Sequence, residues 1–489
     1  MELLVFLSSG LFLGWSLGAN DAANVFGTAV GARMVRFRTA ALVCSVFLVL
    51  GATISGAGAA HTLGKLGAVN ALGGAFAVAL AAGLTTFVMT RLRMPVSTSQ
   101  AIVGAILGWN LYTASLTDAG SLANIVLVWV VCPVLSGVVA IGLFVLVRLA
   151  LRLTRPHLLR LDAGTRLGLL VVGAFGSYSL GANNIANVMG VFVPDNPFHD
   201  VTLFGWLPIT GVQQLFGLGA LAIAVGVFTY SRQVMGTVGS GLARVSPVPA
   251  LVIVLAHSIT LFVFASQGLR DFLLARGLPA LPLVPVSSSQ AVIGAVVGLS
   301  LFKGIGVRLR ILGEISLGWV ATPVAACAVA GVLLFALETV FDQPVQRGLT
   351  YRIDGAVAAE LARRGLDDPG LGAVPEAEAA RPFAAALREH TSLQGADVRA
   401  VVRLAATGRW RIEAGRGRDG WSGMGLSPGQ IDALDDLEGA EFEHAWQVSR
   451  ALAHAGAAWR PLPATPANRR ANEELARQAE LVERISRVD

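Results

Sequence analysis

The stretch Gly18-Ala-Asn-Asp-Ala-Ala-Asn-Val-Phe-Gly27 sets one acid and two asparagines inside an apolar run that extends from Leu3 to Val30. A carboxylate at that depth in a membrane span costs about 2.5–3.5 kcal/mol even on lenient insertion scales, so Asp21 calls for a partner or a task. The stretch returns as Gly181-Ala-Asn-Asn-Ile-Ala-Asn-Val-Met-Gly190, at an offset of 163 residues (181 − 18), with Asn184 where Asp21 stood. Two copies of a polar, glycine-bounded break in apolar helices predict a duplicated transport core.

Composition agrees with a membrane setting. The chain has 489 residues, 54% of them hydrophobic and 14% charged, and a mean hydropathy of +0.66, values foreign to a soluble enzyme with a single core. Fifty-six glycines fit closely packed and interrupted membrane helices. Cys44, Cys132 and Cys327 lie in apolar runs without metal-like spacing and read as packing residues. A net charge of +6 could suggest nucleic acid, but most arginines ahead of the tail sit in short loops between apolar runs, which is topology information, so no nucleic-acid partner is expected. The N-terminal apolar segment runs into the polar motif with no cleavage-site pattern and reads as a first span.

Apolar runs long enough to cross a bilayer occupy about 2–32, 39–60, 71–90, 95–112 and 121–150, then 163–194, 203–229, 246–267, 285–302 and 311–341. A half with an odd number of crossings enters from the side opposite to its twin, so the duplication predicts inverted-topology repeats, 1–155 and 156–342. Loop charges follow the pattern: Arg33, Arg36 and Arg38, then Arg91 and Arg93, then Arg148, Arg152, Arg155 and Arg160 put alternate loops of the first half inside and both termini outside. The loop from Pro194 to Asp200, which corresponds to the Arg33 loop, has no lysine or arginine, while Arg232, Arg244, Lys303, Arg308 and Arg310 mark inner loops of the second half. Arg270 and Arg276 break the rule.

A second motif is also duplicated. Pro95-Val-Ser-Thr-Ser-Gln-Ala-Ile-Val-Gly104 is echoed by Pro285-Val-Ser-Ser-Ser-Gln-Ala-Val-Ile-Gly294, at an offset of 190 (287 − 97), and Trp129-Val-Val-Cys-Pro133 and Trp319-Val-Ala-Thr-Pro323 share that offset. The difference of 27 residues (190 − 163) predicts an insertion between the two motifs of the later half. Pro95 stops the preceding helix, Ser97 caps a new one, and Gln100 takes the third position of a capping box. Such residues can simply cap helices near a membrane surface. A helix that starts inside the membrane instead aims free backbone N–H groups and its positive dipole end at an anion. The hydroxyls of Ser97, Thr98 and Ser99, and of Ser287, Ser288 and Ser289, would add donors. For the first motif the bland reading is a polar helix contact in which glycines allow close packing. Against it, Asn20, Asp21 and Asn24 form one clustered set of oxygens that, with backbone oxygens of an unwound segment, suits sodium or a proton. His61 and His257 are lone histidines that read as loop or satisfied packing residues, and Lys65 as a solvated loop charge.

From about Gln343 the composition changes to Ala, Arg, Glu and Asp with no further span, which predicts a soluble, mainly helical C-terminal domain over 343–489. Gly415 to Leu426, followed by Ser427-Pro428, reads as loop, and no cofactor fingerprint appears in the tail.

These residues resemble the inorganic phosphate transporters of the PiT type, which carry two inverted copies of Gly-Ala-Asn-Asp-x-x-Asn-x-x-Gly and a Pro-x-Ser-x-[Thr/Ser]-[His/Gln] helix start in each half. The likeness spans about residues 1–342. It implies phosphate and cation sites that involve Asp21, Asn24, Thr98, Ser99 and Gln100, with Asn184, Asn187, Ser288, Ser289 and Gln290 as counterparts. Asn184 departs from the commoner second aspartate. The expectation is an all-α polytopic membrane protein of the cell membrane, with discontinuous helices, that imports inorganic phosphate by symport with sodium or protons through alternating access. Asn24, Thr98, Ser99, Gln100, Asn187, Ser288, Ser289 and Gln290 would bind substrate. Asn20, Asp21, Ser97, Asn183, Asn184 and Ser287 would serve the coupling cation, sodium being placed at Asp21. No cofactor is expected, the partners are phosphate, the cation and the lipid bilayer, and a homo-oligomer is compatible. Rival readings are a sulfate or other oxyanion permease, an anion channel, and a receptor or sensor signalling through the tail. A membrane enzyme is disfavoured because no catalytic motif lies in the spans.

Overall fold

The structure is a computed structural model of the chain, and it describes residues 2–56, 63, 66, 69–92, 96–194, 196, 198, 201–203, 207–235, 246–279, 282–412, 426–463, 465 and 468–488. Pro95, His61, Lys65, Arg93, Arg244 and the glycine-rich 413–425 lie outside the described residues. The chain divides into two compact units, one of residues 1–112, 117–198 and 211–345, the other of 113–116, 199–210 and 346–489.

In the first unit, helices α1 (Glu2–Gly31), α2 (Phe37–Ser55), α3 (Leu72–Arg91), α4 (Thr98–Tyr112) and α5 (Ala119–Thr154) are followed by α6 (Leu158–Met189), α7 (Gly211–Thr229), α8 (Pro247–Ala265), the short α9 (Gln267–Ala275), α10 (Ser288–Phe302) and α11 (Leu309–Thr339). Among the described residues, α2, α3, α5, α7, α8 and α11 are long and apolar enough to cross a membrane, and the protein is a multi-pass membrane protein. Helices α4 and α10, which lie in apolar runs counted as long enough to cross but whose motifs predict helix starts inside the membrane, are 15 residues each. At 1.5 Å per residue each reaches about 22 Å, short of the roughly 30 Å hydrocarbon layer. They are half-helices reached through backbone without regular secondary structure at 96–97 and 282–287. The expected span at 203–229 also starts late. A small antiparallel hairpin, β1 (Val201–Leu203) with β2 (Leu207–Ile209), precedes α7, and Pro208, which has no N–H to give a helix, helps to delay it.

The helices pack in pairs that exchange when the halves are exchanged. Helix α1 lies on α7 and α6 on α2, α1 on α3 and α6 on α8, α4 on α11 and α10 on α5. Glycines make the closest approaches, since a Cβ at Gly18 would meet Ile223 O at 1.9 Å and one at Gly181 would meet Leu48 O at 2.1 Å. Gly51 against Tyr178 O and Gly226 against Trp15 O repeat the relation at 2.0 and 2.1 Å. Each half-helix also seats a glycine on a proline of the opposite half: a Cβ at Gly104 would meet Pro323 O at 2.2 Å and one at Gly294 would meet Pro133 O at 2.1 Å. Pro133 and Pro323 lie inside α5 and α11, where each removes a helix hydrogen bond.

These pairs locate the extra residues of the second half. Gly226 corresponds to Gly51 at an offset of 175 (226 − 51), so 12 of the 27 residues (175 − 163) enter before α7, around the hairpin. The other 15 (190 − 175) enter between α8 and α10, around α9.

The second unit has its own cores. Val357 and Leu361 of α12 (Gly355–Arg363), Phe383 and Leu387 of α13 (Ala380–His390) and Val398 and Val401 of α14 (Ala396–Ala405) form one cluster. Leu434 of α15 (Pro428–Asp435), Val448 and Leu452 of α16 (Ala445–Ala455) and Val482 of α17 (Arg469–Ile485) form another with Trp410 and Trp459. Besides the β1–β2 hairpin, which falls in this unit, it has two short pairs: β3 (Thr350–Tyr351) with β4 (Ala406–Thr407), and β5 (Trp410–Arg411) with β6 (Glu441–Phe442). Ser427-Pro428, read as loop, is a helix start: Ser427 and Gln430 close a capping box with Pro428 at the first helical position.

Candidate anion and cation site

All fourteen residues proposed for the site from sequence come together in the first unit, each no more than 5% exposed. Their arrangement corrects two expectations. Helices α1 and α6 run unbroken through the Gly-Ala-Asn motifs, so the motif supplies no unwound backbone. Its leading glycines, Gly18 and Gly181, serve the close helix contacts with α7 and α2 instead. The interrupted backbone lies at the starts of α4 and α10, where Val96 O accepts Asn20 Nδ2–H at 3.4 Å and Val286 O accepts Asn183 Nδ2–H at 2.7 Å. Asn20 and Asn183 thus bind the chain entry of their own half, and Val286 N–H also donates to Asn183 Oδ1 at 2.9 Å.

The second correction concerns the caps. Ser97 Oγ accepts Gln100 N–H and Ser287 Oγ accepts Gln290 N–H, each at 3.2 Å, which spends one acceptor of each serine on capping. The reciprocal half of the box is not formed, because Gln100 Oε1 and Gln290 Oε1 are buried without a partner. The glutamine side chains are therefore free for the site, and the sequence pattern alone could not separate the two uses.

The halves are braced across each other. Asn24 Nδ2–H donates to Ser288 Oγ at 3.0 Å and to Ser289 Oγ at 3.4 Å, while Asn187 Nδ2–H donates to Ser99 Oγ at 2.8 Å. Ser99 Oγ–H donates to Val286 O at 3.1 Å and Ser289 Oγ–H to Val96 O at 2.7 Å. Residues 20, 24, 96 and 99 thus exchange with 183, 187, 286 and 289 at the two motif offsets. Where the copies meet, Asn184 Nδ2–H donates to Asp21 Oδ2 at 3.3 Å. Asn184 Oδ1 accepts from Asn183 at 2.9 Å and from Asn187 at 3.1 Å.

The orphaned atoms mark where ligands would sit. Asp21 Oδ1, Thr98 Oγ1, Gln100 Oε1, Asn187 Oδ1 and Gln290 Oε1 are buried with no hydrogen-bond partner, a cluster that a packed core would not leave empty-handed. Among the described residues no cationic side chain pairs with Asp21, and an uncompensated buried carboxylate is strongly unfavourable. The first-turn amides of α4 and α10 add N–H donors that a helix cannot satisfy internally. Acceptors around one acid, beside two converging helix starts, can hold a hard cation or proton together with an anion.

Sequence reasoning missed His257 of α8, whose Nε2 lies 3.0 Å from Ser288 Oγ in the middle of this site. A lone histidine in an apolar run carries no spacing signal. In the second unit Asp354, Glu443 and His444 cluster closely, but His444 Nδ1 bonds Ala406 O at 2.8 Å and Nε2 bonds Asp354 Oδ2 at 3.0 Å, which leaves no ring nitrogen for a metal. Burial pushes the Asp354 carboxyl up, yet hydrogen bonds from His444 and Val357 N–H, with the His444 and Arg352 charges, hold it below the usual carboxylate range.

Residues 17–330 match the model of the phosphate transporter family. The chain belongs to that family. Similar proteins include one named as a phosphate permease from Haemophilus influenzae, 24% identical over 421 residues that cover 68% of this chain and 96% of the relative. One named likewise from Pyrococcus furiosus is 25% identical over 416 residues, with the same coverage of both chains. A solved sodium-dependent phosphate transporter shares the fold with a TM-score of 0.54 and 22% identity, covering 69% of this chain and 99% of its own. The matched region is thus the helical unit that carries the site, and its family is one of transporters.

Proposed function

We propose that the protein imports inorganic phosphate by symport with sodium or protons, through alternating access around the site between α4 and α10. The observation that carries this reading is the buried Asp21, with no counter-charge among the described residues, where two half-helix starts from opposite halves converge. A cation or proton at Asp21 would offset the cost of its burial and leave the helix starts, Thr98 and the two glutamine side chains to an oxyanion. The half-for-half packing supports two inverted repeats, because five membrane-entering segments per half reverse the orientation of the second copy. Exchange of nearly equivalent packings between the halves would open the site first to one side and then to the other. The name of the structural relative favours sodium as the coupling ion.

Phosphate fits better than sulfate. At neutral pH phosphate keeps a proton and can donate to a carboxylate such as Asp21, whereas sulfate only accepts. The test is uptake of radiolabelled phosphate into proteoliposomes under a sodium gradient, a proton gradient or neither. The expected result is accumulation driven by one gradient and barely reduced by excess sulfate. Uptake that only dissipates a phosphate gradient would make the protein a channel, and faster sulfate uptake would overturn the substrate.

A further inference from the structure

The four hydroxyls next to the helix starts are not equivalent. Ser99 and Ser289 donate their protons to Val286 O and Val96 O and have none left to offer a ligand. Thr98 Oγ1 has no partner and is a free rotor. Ser288 differs from all three, since its oxygen accepts Asn24 Nδ2–H at 3.0 Å and also lies 3.0 Å from His257 Nε2.

Which atom donates in the last contact follows from the other ring nitrogen. His257 is fully buried, and its Nδ1 has no hydrogen-bond partner. An orphaned buried N–H is rarer than an orphaned acceptor, so a singly protonated ring places its proton on Nε2, and a doubly protonated ring has one there as well. In either case Nε2–H donates to Ser288 Oγ. A serine hydroxyl has two acceptor positions and one donor. With both acceptors of Ser288 filled, by Asn24 and His257, its O–H is left to point away from them.

The first half has no equivalent. The offset of 175 that relates Gly83 to Ser258 (258 − 83) places Ala82 opposite His257. Gly83 and Ser258 confirm that register, for a Cβ on Gly83 would meet Leu13 Cα at 3.4 Å while Ser258 Oγ lies at 2.5 Å from a Cβ built on Gly176, and 176 and 13 differ by the α1-to-α6 offset of 163. Thr98, the counterpart of Ser288, is accordingly the free rotor.

We infer that His257 is a positioning residue that fixes the Ser288 hydroxyl as a preset donor to the bound oxyanion, making the second-half helix start the more rigid of the two. The inference deepens the transport reading and rests on it. A donor held in place binds an acceptor oxygen without the ordering cost that Thr98 would meet.

The experiment measures KM and Vmax for radiolabelled phosphate in proteoliposomes. His257→Phe should raise KM about five- to tenfold, the size of one hydrogen bond, with Vmax changed less than about twofold. His257→Gln, whose amide can donate from a similar reach, should recover most of the affinity. In a Ser288→Ala background His257→Phe should change KM less than about twofold, because the effect runs through Ser288. An unchanged KM in His257→Phe, an undiminished effect in the Ser288→Ala background, or a glutamine variant as impaired as the phenylalanine one would overturn the inference. A measurement on the intact wild-type protein guards against variants that do not fold. The ¹⁵N resonances of labelled histidine, assigned by the signal missing from His257→Gln, should show Nε2 protonated, and a ring protonated only on Nδ1 would contradict it. Wild-type protein that takes up no phosphate would overturn the transport reading separately, whatever the ring proton shows.

Discussion

The two helical halves share a frame and differ in chemistry. Asn20 and Asn183, Asn24 and Asn187, and Ser99 and Ser289 make matching bonds, so the asparagines and the inner serines hold backbone in place. The exceptions are Asp21 against Asn184, Thr98 against Ser288 and Ala82 against His257. The matching bonds are those a duplicated site would make, and the three differences would give the proposed site one charged side and one preset donor. An amide opposite Asp21 also removes a repulsion, since a carboxylate at position 184 would sit where Nδ2 now donates at 3.3 Å.

The largest effect should come from breaking the charged side. Asp21→Asn should cut gradient-driven phosphate uptake by about two orders of magnitude, as loss of a charge-assisted partner worth about 3 kcal/mol would give. Folded protein should remain, by elution profile. Wild-type uptake and cation dependence in the variant would remove Asp21 from the coupling site.

The shared frame makes a paired prediction. Gly104→Val and Gly294→Val each drive a Cβ into a proline carbonyl of the opposite half, and each should destabilise the protein by about 1–3 kcal/mol through overpacking. Thermal unfolding in detergent should show similar losses. A large loss in one variant and none in the other would mean that the halves do not carry equivalent contacts.

A contrast outside the repeat comes from Glu483 in the second unit. Burial pushes its carboxyl up to about 7, against a hydrogen bond from Ser449 and with help from the Glu480 charge. The folded unit then holds a proton that the unfolded chain has already released, so its stability falls as pH rises from about 4.5 to about 7 and stays low above that. Glu483→Gln should flatten this slope and stabilise the unit at pH 8 on the order of 1 kcal/mol, after allowance for partial exposure. Unfolding that shows the same pH slope in wild type and variant would refute the assignment. Among the described residues Asp21 has no such hydroxyl donor, and the proposed cation or proton would take that place.

Much of this was legible because the repeats preserve residue types at fixed offsets. The two motif pairs and the Trp-to-Pro segments pointed to both half-helix starts and to the fourteen buried residues proposed for the site. What the pattern could not show is how backbone and side chain divide the work. Asn-rich motifs bounded by glycine fit a broken helix as well as an intact one, and only the contacts of Gly18 and Gly181 reveal that the glycines serve packing. Gln100 in a capping-box position is ambiguous in the same way, because its free Oε1 is a property of three dimensions. His257 stayed hidden because its half contains the two insertions, and without the intermediate offset of 175 nothing aligns it with Ala82 as a departure from symmetry. The functions of the second unit carry no repeat at all, so composition gave its helices and nothing of its Asp354 and His444 brace.

The smallest expected effects are those of the glutamines. Gln100→Ala and Gln290→Ala should each weaken phosphate binding about fivefold, since each removes one side-chain partner while Ser97 and Ser287 keep the helix caps. Equal losses would support a two-sided site, and unequal losses present in both variants would sharpen the asymmetry proposed for His257.

In the proposed site one oxyanion is held from both halves at once. Equilibrium binding of radiolabelled phosphate to the purified wild-type protein and to these two glutamine variants tests it most directly. One phosphate per chain is expected, with both variants lowering the affinity of that same single site. Two phosphates per chain, or a variant that abolishes one class of site and leaves another intact, would contradict it.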